Sequence, residues 1–391
     1  MKRRYAIIES NRALRSGGAL PGTFSKSADA QINIHEAELS ASELRDIEKN
    51  PKVADYGLIM PMRLITPVSK KQPAKGAVPK TAWGVSAVGA EKTGLDGSGT
   101  VVAVLDTGIC RNHPAFAGID IEEKDFGGSG NGDSDGHGTH CAGTIFGKDV
   151  DGVRIGIARN IRKALIAKVF SDKGDGGSAV VLQAMQWAAN EGAHVVSMSL
   201  GFDFPGMVRQ LQEEGYPPEL ATSIALESFK DNLRLFDSVM ELIEAGRAFG
   251  RGPLVIAAAG NESRLDVDSR FRISASLPSS ATGVLSVAAL RTDGDSLAIA
   301  DFSNVRAKIF APGAEILSAA RDGGFATMSG TSMACPHVAG VAALWWQKLA
   351  TPQKGPNGER LKQSILASAV TEVLPSFDAD DAEYGLVQVP K

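Results

Sequence analysis

The sequence predicts an α/β protein: a doubly wound, mostly parallel sheet with helices on both faces, preceded by a small α+β unit. Three observations lead there. Short apolar runs recur at 100–105, 164–169, 195–200, 254–259 and 284–289, each the length of a buried strand, and helical stretches such as 179–190 separate some of them. A β-α-β pattern fills the first sixty residues. Between the two, residues 66–80 are rich in proline and lysine and have no hydrophobic period, which reads as a linker.

In chain order, 4–9 and 30–35 read as strands around a Gly/Ser/Pro-rich loop at 16–28. Ser40-Ala41-Ser42-Glu43 is a capping-box pattern opening a helix to about Lys49. Asn50-Pro51 ends that helix, and Val53 to Met60 reads as a further strand. The expected organisation is therefore 1–65, a linker at 66–80, and a large unit at 81–391. Residues 202–252 form a long polar-apolar segment in that unit. Pro217-Pro218 can start a helix there and Gly246 can stop it. Leu226, Phe229, Leu233, Phe236, Met240 and Ile243 recur by threes and fours, an apolar stripe along about 40 Å of helix. Packing on the sheet is the expected use of that stripe, and a protein-partner face is the alternative.

Composition narrows the function classes. The 391 residues carry a net charge of −4 and are 43% hydrophobic. That leaves no basic footprint for nucleic acid and no strong attraction to a membrane surface. The start, Met1-Lys2-Arg3-Arg4, is basic, but Glu9, Asn11, Arg12 and Arg15 interrupt any signal-peptide core. No stretch approaches the roughly 20 apolar residues of a membrane span. Cys110, Cys141 and Cys335 are odd in number and lack metal-ligand spacing, so reduced thiols are expected. A cytoplasmic location follows as the expectation, with signal-independent export open.

The chemistry gathers on four short motifs. Gly330-Thr331-Ser332-Met333-Ala334-Cys335-Pro336 places Ser332 between a glycine turn and an apolar helix. Free N–H groups and the positive dipole end there favour negative charge on a reacting oxygen. Alone, Ser332 reads more simply as a helix cap, because serine is a preferred residue there. A nucleophile needs a base, an orienting acid and an oxyanion donor. Asp106 ends the 100–105 run, within Asp106-Thr107-Gly108. That tripeptide also suits an aspartic protease, which would need a second copy. His137 sits in Gly136-His137-Gly138-Thr139-His140, where glycines let its ring project into a cleft. A His-x-x-His metal site would need further ligands, so His137 is assigned as base, His140 as structural, and no metal is expected. His35, His113, His194 and His337 lack a comparable glycine setting or lie outside the unit. Asn261 follows the 254–259 run, and its side-chain N–H can meet an oxyanion.

These four motifs, in this order, resemble the subtilisin-like serine proteases, the subtilases, over about residues 80–391. The closing Tyr384-Gly385-Leu386-Val387 is similar to the segment that ends many such domains. The resemblance implies a serine endopeptidase acting through an acyl-enzyme, without a cofactor. It implies Asp106 as orienting acid, His137 as base then acid, Ser332 as nucleophile, and Asn261 with the Ser332 N–H as oxyanion donors. Ser199, Leu200 and Gly201 look like the edge that pairs with substrate backbone, and Gly176 and Gly177 like the opposite edge. Residues 1–65 resemble the family's propeptide, an intramolecular inhibitor whose C-terminal strand would lie in the substrate groove, with cleavage between about Met62 and Lys80. Protein or peptide substrates and the chain's own N-terminal segment are the implied partners. A silent subtilase-fold binding module and a single-turnover self-cleaving regulator are the alternatives.

The chain departs from the family at a calcium site found in many members. The matching positions read Ala115 and Lys148-Asp149-Val150-Asp151-Gly152, so no calcium is expected there. The charged segment 264–272 leaves the preferred substrate side chain open. Cys141 matches the thiol-bearing branch of the family, although a small buried residue is its simpler role.

Overall fold

A computed structural model describes residues 2–10, 32–72, 78–247, 252–351, 355–376 and 378–391. The loop expected at 16–28 lies outside them, as does the middle of the linker.

The N-terminal part is β1 (Arg3–Ser10), β2 (Ile32–Leu39), α1 (Ala41–Lys49) and β3 (Val53–Leu58). Its three strands form an antiparallel sheet in the order β2-β1-β3. The capping box forms as the sequence predicts: Ser40 Oγ accepts from Glu43 N, and Glu43 Oε2 accepts from Ser40 N at 2.7 Å. Next come β4 (Pro61–Leu64) and β5 (Ser69–Lys71). The second of these corrects the expectation of an unstructured linker. Its hydrogen-bond partner is a strand more than 250 residues away, which no local pattern can announce.

The large unit runs through α2 (Trp83–Ala87), β6 (Val101–Asp106), β7 (Ile121–Asp125), α3 (His137–Phe146), β8 (Lys163–Lys168), β9 (Gly176–Gly177) and α4 (Ser178–Asn190). It continues with β10 (Val195–Met198), β11 (Leu200–Phe202), α5 (Phe204–Glu213), α6 (Pro218–Arg247) and β12 (Leu254–Ala258). Then follow β13 (Leu285–Asp293), β14 (Ser296–Ile299), β15 (Ile309–Pro312), β16 (Ile316–Ala319), β17 (Phe325–Ser329), α7 (Thr331–Leu349) and α8 (Gly358–Ala367). The central sheet has the order β14-β13-β12-β10-β6-β8-β7, with β15 also on β13. Among the described residues, only its β13–β14 pair is antiparallel. Strand β6 shows why its sequence is continuously apolar. Val102 and Val104 pack into the layer with α3 and α7, whereas Val101, Ala103 and Leu105 pack into the layer with α4 and α6. Side chains alternate along a strand, so a strand covered on both faces has no polar side.

Helix α6 runs one residue past Gly246. Its buried face is Ala221, Ala225, Ser228, Asn232, Leu235, Phe236, Val239, Met240 and Ile243. Leu226 is 51% exposed, which corrects its place in the predicted stripe. The true stripe includes two polar residues with a specific use. Ser228 Oγ and Asn232 Nδ2 donate to the Leu58 carbonyl at the end of β3, at 3.2 and 2.8 Å. Arg234 pairs with Asp55 through Nε and donates to the Tyr56 carbonyl. On α4, Gln183 donates to the Ile34 carbonyl at 3.0 Å. Ala6, Ile8 and Ile34 share one apolar cluster with Leu182, Met185 and Phe236. The long segment thus packs against the large unit and carries the N-terminal sheet as well.

Candidate active site

Strand β6 delivers Asp106 at its C-terminal end, where open α/β sheets gather functional groups. Its Oδ1 accepts from the Thr107 N–H at 2.7 Å and lies 2.8 Å from His137 Nδ1. Both side chains are buried. Close approach of α3 to the strand end requires glycine. A Cβ at Gly138 would stand 2.2 Å from the Gly108 carbonyl, and one at Gly108, where φ is +108°, would stand 2.1 Å from the Gly132 carbonyl. With Nδ1–H directed at Asp106, Nε2 is left as the proton-accepting nitrogen. That atom is buried and has no hydrogen-bond partner among the described residues. Burial alone would lower the His137 pKa. The charge and hydrogen bond of Asp106, helped by Asp135 and Asp133, outweigh it and raise the pKa above 6.5.

Asp133 was not singled out by sequence reasoning, yet it organises this corner. It accepts from Thr107 Oγ1 at 2.9 Å, from Thr139 N and Oγ1 at 2.9 and 2.6 Å, and from Gly136 N at 2.8 Å. Thr107 Oγ1 in turn accepts from Gly138 N at 2.9 Å. One carboxylate therefore ties the end of β6 to the start of α3. Burial works against its charge, but these donors win and lower its pKa. The only available sequence signal was an acid four residues before a histidine, in a run of Asp and Gly.

Ser332 lies in the first turn of α7, as predicted. Its hydroxyl donates to the Ile65 carbonyl at 2.9 Å. Asn261 follows β12. Its Oδ1 accepts from Thr331 N and Oγ1 at 2.8 and 2.9 Å, which aims Nδ2 outward to donate to the Thr66 carbonyl at 3.0 Å. Thr331 is a second orienting residue that sequence reasoning left unassigned. Cys141, one turn beyond His137, joins the two halves: its sulfur is 3.8 Å from His137 Nδ1 and 3.4 Å from the Ser332 carbonyl. Burial pushes this thiol well above its ordinary pKa. Asp106, His137 and Cys141 offer possible ligand atoms within 4.8 Å of one another. A metal would need the thiolate, which burial disfavours.

Residues 61–71 thread this cleft. Strand β4 lies between the two edges assigned to substrate. Leu64, Arg63 and Met62 pair with Leu200, Gly201 and Phe202, and Met62 and Pro61 pair with Gly176 and Gly177. The Ile65 N–H reaches the Ser199 carbonyl at 3.5 Å. The Ile65 side chain is buried, 3.5 Å from where a Cβ on Gly201 would stand. Beyond Ser332 the Val68 N–H donates to the Ser329 carbonyl at 2.8 Å, and β5 continues as a partner of β17.

The remaining assignments separate cleanly. His140 donates Nε2–H to the Ile316 and Ala326 carbonyls, and burial lowers its pKa to about 3, so it is a neutral structural residue. His337 and His194 are likewise lowered to about 4 by burial. At the position of the family's calcium site, Ala115 is buried, Asp149 is held at 2.9 Å by Arg159, and Lys148 Nζ donates to the Ala117 carbonyl at 2.6 Å.

A parallel sheet with a buried Asp–His pair, a helix-start serine and an outward-facing asparagine amide defines the class of subtilisin-like serine endopeptidases. The family model described as the subtilase family matches residues 97–386, and the chain belongs to that family. It is 30% identical over 323 residues to a thermostable alkaline protease of Halalkalibacterium halodurans, covering 80% of this chain and 72% of that protein. It is 32% identical over 335 residues to alkaline serine exoprotease A of Vibrio alginolyticus, covering 82% of this chain and about half, 53%, of that longer protein. The crystal structure of a cold-adapted subtilisin-like serine proteinase matches with a TM-score of 0.56 and 28% identity, covering 76% of this chain and 92% of that one.

Proposed function

We propose that the protein hydrolyses peptide bonds with Ser332 as nucleophile, His137 as general base then acid, and Asp106 as the group that holds the imidazole. Ser332 Oγ would add to the scissile carbonyl carbon while its proton passes to His137 Nε2. Asn261 Nδ2 and the Ser332 N–H would hold the oxyanion in a site that excludes water. Protonated His137 would hand its proton to the departing amine, and water would then release the acyl group. Substrate backbone would add as a strand between Ser199–Gly201 and Gly176–Gly177.

One observation carries this reading. A peptide segment already lies between those two edges, with Ser332 Oγ on one of its carbonyls and Asn261 Nδ2 on the next. The same observation supports the N-terminal segment as an intramolecular inhibitor, removed by self-cleavage between Met62 and Lys80. The test is turnover of casein and peptides by wild type beside Ser332→Ala, with N-terminal sequencing of both. Hydrolysis and a new N-terminus in wild type alone are expected. Equal turnover by the variant would end the assignment.

A further inference from the structure

The segment in the cleft also reports what the cleft selects. Arg63 pairs with Gly201, and its guanidinium lies 2.6 Å from Glu262 Oε1 and 3.5 Å from Asp203 Oδ1. Neither carboxylate depends on Arg63 for its position. Glu262 Oε2 accepts from Asn304 Nδ2 at 2.6 Å, and buried Asn304 accepts in turn from the Glu262 and Ser263 N–H groups. Asp203 caps α5 through the Gly206 N–H at 3.0 Å. When the segment leaves, two fixed acids remain beside the backbone edge, and Arg63 no longer stands between them. We propose that Glu262 and Asp203 are specificity-determining residues that select a basic side chain on the substrate residue paired with Gly201. Counting back from Ile65, whose carbonyl meets Ser332, that is the third residue before the cleaved bond. The inference rests on the proposed proteolytic reading.

Its test uses two peptides that differ only at that third residue, arginine in one and norleucine in the other. The ratio of their kcat/KM values does not depend on how much protein has shed its N-terminal segment. The pair is partly exposed, so the expected preference for arginine is about fivefold, weaker in high salt. It falls to about one in Glu262→Gln with Asp203→Asn. Should Glu262→Gln disturb neighbouring Asn261, both peptides slow together and the ratio still reports. A ratio of one in wild type, or one kept by the double variant, overturns the inference. Hydrolysis of neither peptide by wild type that has shed its N-terminal segment overturns the catalytic reading beneath it.

A different observation concerns the segment's own survival. Attack requires one carbonyl to meet both the nucleophile and the oxyanion donor. Here the two are split: Ser332 Oγ donates to Ile65 O, and Asn261 donates to Thr66 O. The peptide aligned with the nucleophile is Ile65–Thr66, whereas the carbonyl on the oxyanion donor belongs to Thr66–Pro67. Cleavage of the latter would need His137 to bring its proton to a ring nitrogen crowded by its own Cδ. Proline also restricts Thr66 to extended backbone, while the Val68–Ser329 hydrogen bond anchors the far side. We infer that Pro67 slows self-cleavage and so prolongs the segment's hold on the cleft.

Pro67→Ala should let the segment shift by one residue, so that the Thr66 carbonyl meets both Ser332 and Asn261 and the peptide bond that follows Thr66 is exposed. The Ser332 proton would leave with the new amino group of residue 67, and water would complete hydrolysis of the Thr66 ester. Intact-mass measurement over time should show self-cleavage at least tenfold faster than in wild type, with a new N-terminus at residue 67 that Ser332→Ala eliminates. Wild type with Pro67 as its N-terminus overturns the inference. So does a variant whose rate and cut site match those of wild type while fluorophosphonate still labels its Ser332. Loss of that labelling in wild type counts against the catalytic reading instead.

Discussion

The N-terminal sheet and the central sheet solve the same problem in opposite ways. The central sheet is covered on both faces by its own helices, and its strands β6, β10 and β12 are buried at every position. The N-terminal sheet has one helix of its own, and α1 has no buried residue. Its apolar residues Ala6, Ile8 and Ile34 are buried against side chains of α4 and α6 instead. One region is covered by its own helices on both faces; the other buries Ile7 and Val53 outside the shared clusters and relies on α4 and α6 to cover Ala6, Ile8 and Ile34. Such a sheet should come away more readily than any strand of the central sheet, in keeping with the inhibitory role proposed for it.

The largest expected effect belongs to the nucleophile. Ser332→Ala should lower hydrolysis by at least about 10⁴-fold while leaving both sheets intact, because the hydroxyl contributes chemistry and a single contact to the bound segment. Kinetics beside circular dichroism would check this. Asn261→Ala should lower kcat by about 10²- to 10³-fold, with a smaller effect on KM, since its amide acts mainly on developing charge. The pH profile follows from the raised pKa of His137. The base works when neutral, so activity should fall as pH drops through a midpoint above 6.5, and weakening Asp106 as Asp106→Asn should move that midpoint down.

Smaller effects separate the two sheets. Asn232→Leu removes a buried donor to Leu58 and should weaken docking by about 1–2 kcal/mol. Hydrogen exchange should then quicken in β1 and β3 but not in β6 or β10; equal change in both would contradict the separation. The central unit should also lose stability in acid. His140 and His337 are buried with pKa values lowered to about 3 and about 4, so the unfolded chain binds protons first. Stability is full above pH 6.5 and falls as pH drops towards 4, by on the order of 1 kcal/mol per unit for each histidine. Thermal melts across that range would check it. Ser40→Ala, which removes the α1 cap, should cost about 1 kcal/mol and be felt in the N-terminal sheet alone.

The same contrast explains what was legible in the sequence. The strands of the central sheet and the motifs around Asp106, His137, Asn261 and Ser332 could be read because each sits at a strand end or helix start that leaves a local pattern. The α1 capping box was legible for the same reason. Asp133 and Thr331 were not, because they act through hydrogen bonds to groups outside any apolar period. Ser228 and Asn232 broke the expected α6 stripe because their partner is a carbonyl in another region. Strand β5 was invisible because its ladder is completed by β17. Residues joined across long loops carry no record of one another in linear order.

If Ser332 is the reactive group and residues 61–71 cover it, its labelling rate must depend on that segment. Mass-spectrometric mapping of a fluorophosphonate adduct over time tests both at once. The expected result is a single adduct on Ser332, slow while the chain is intact and faster once the N-terminal segment is gone. An adduct on another residue, or labelling of Ser332 at one rate in both forms, would contradict it.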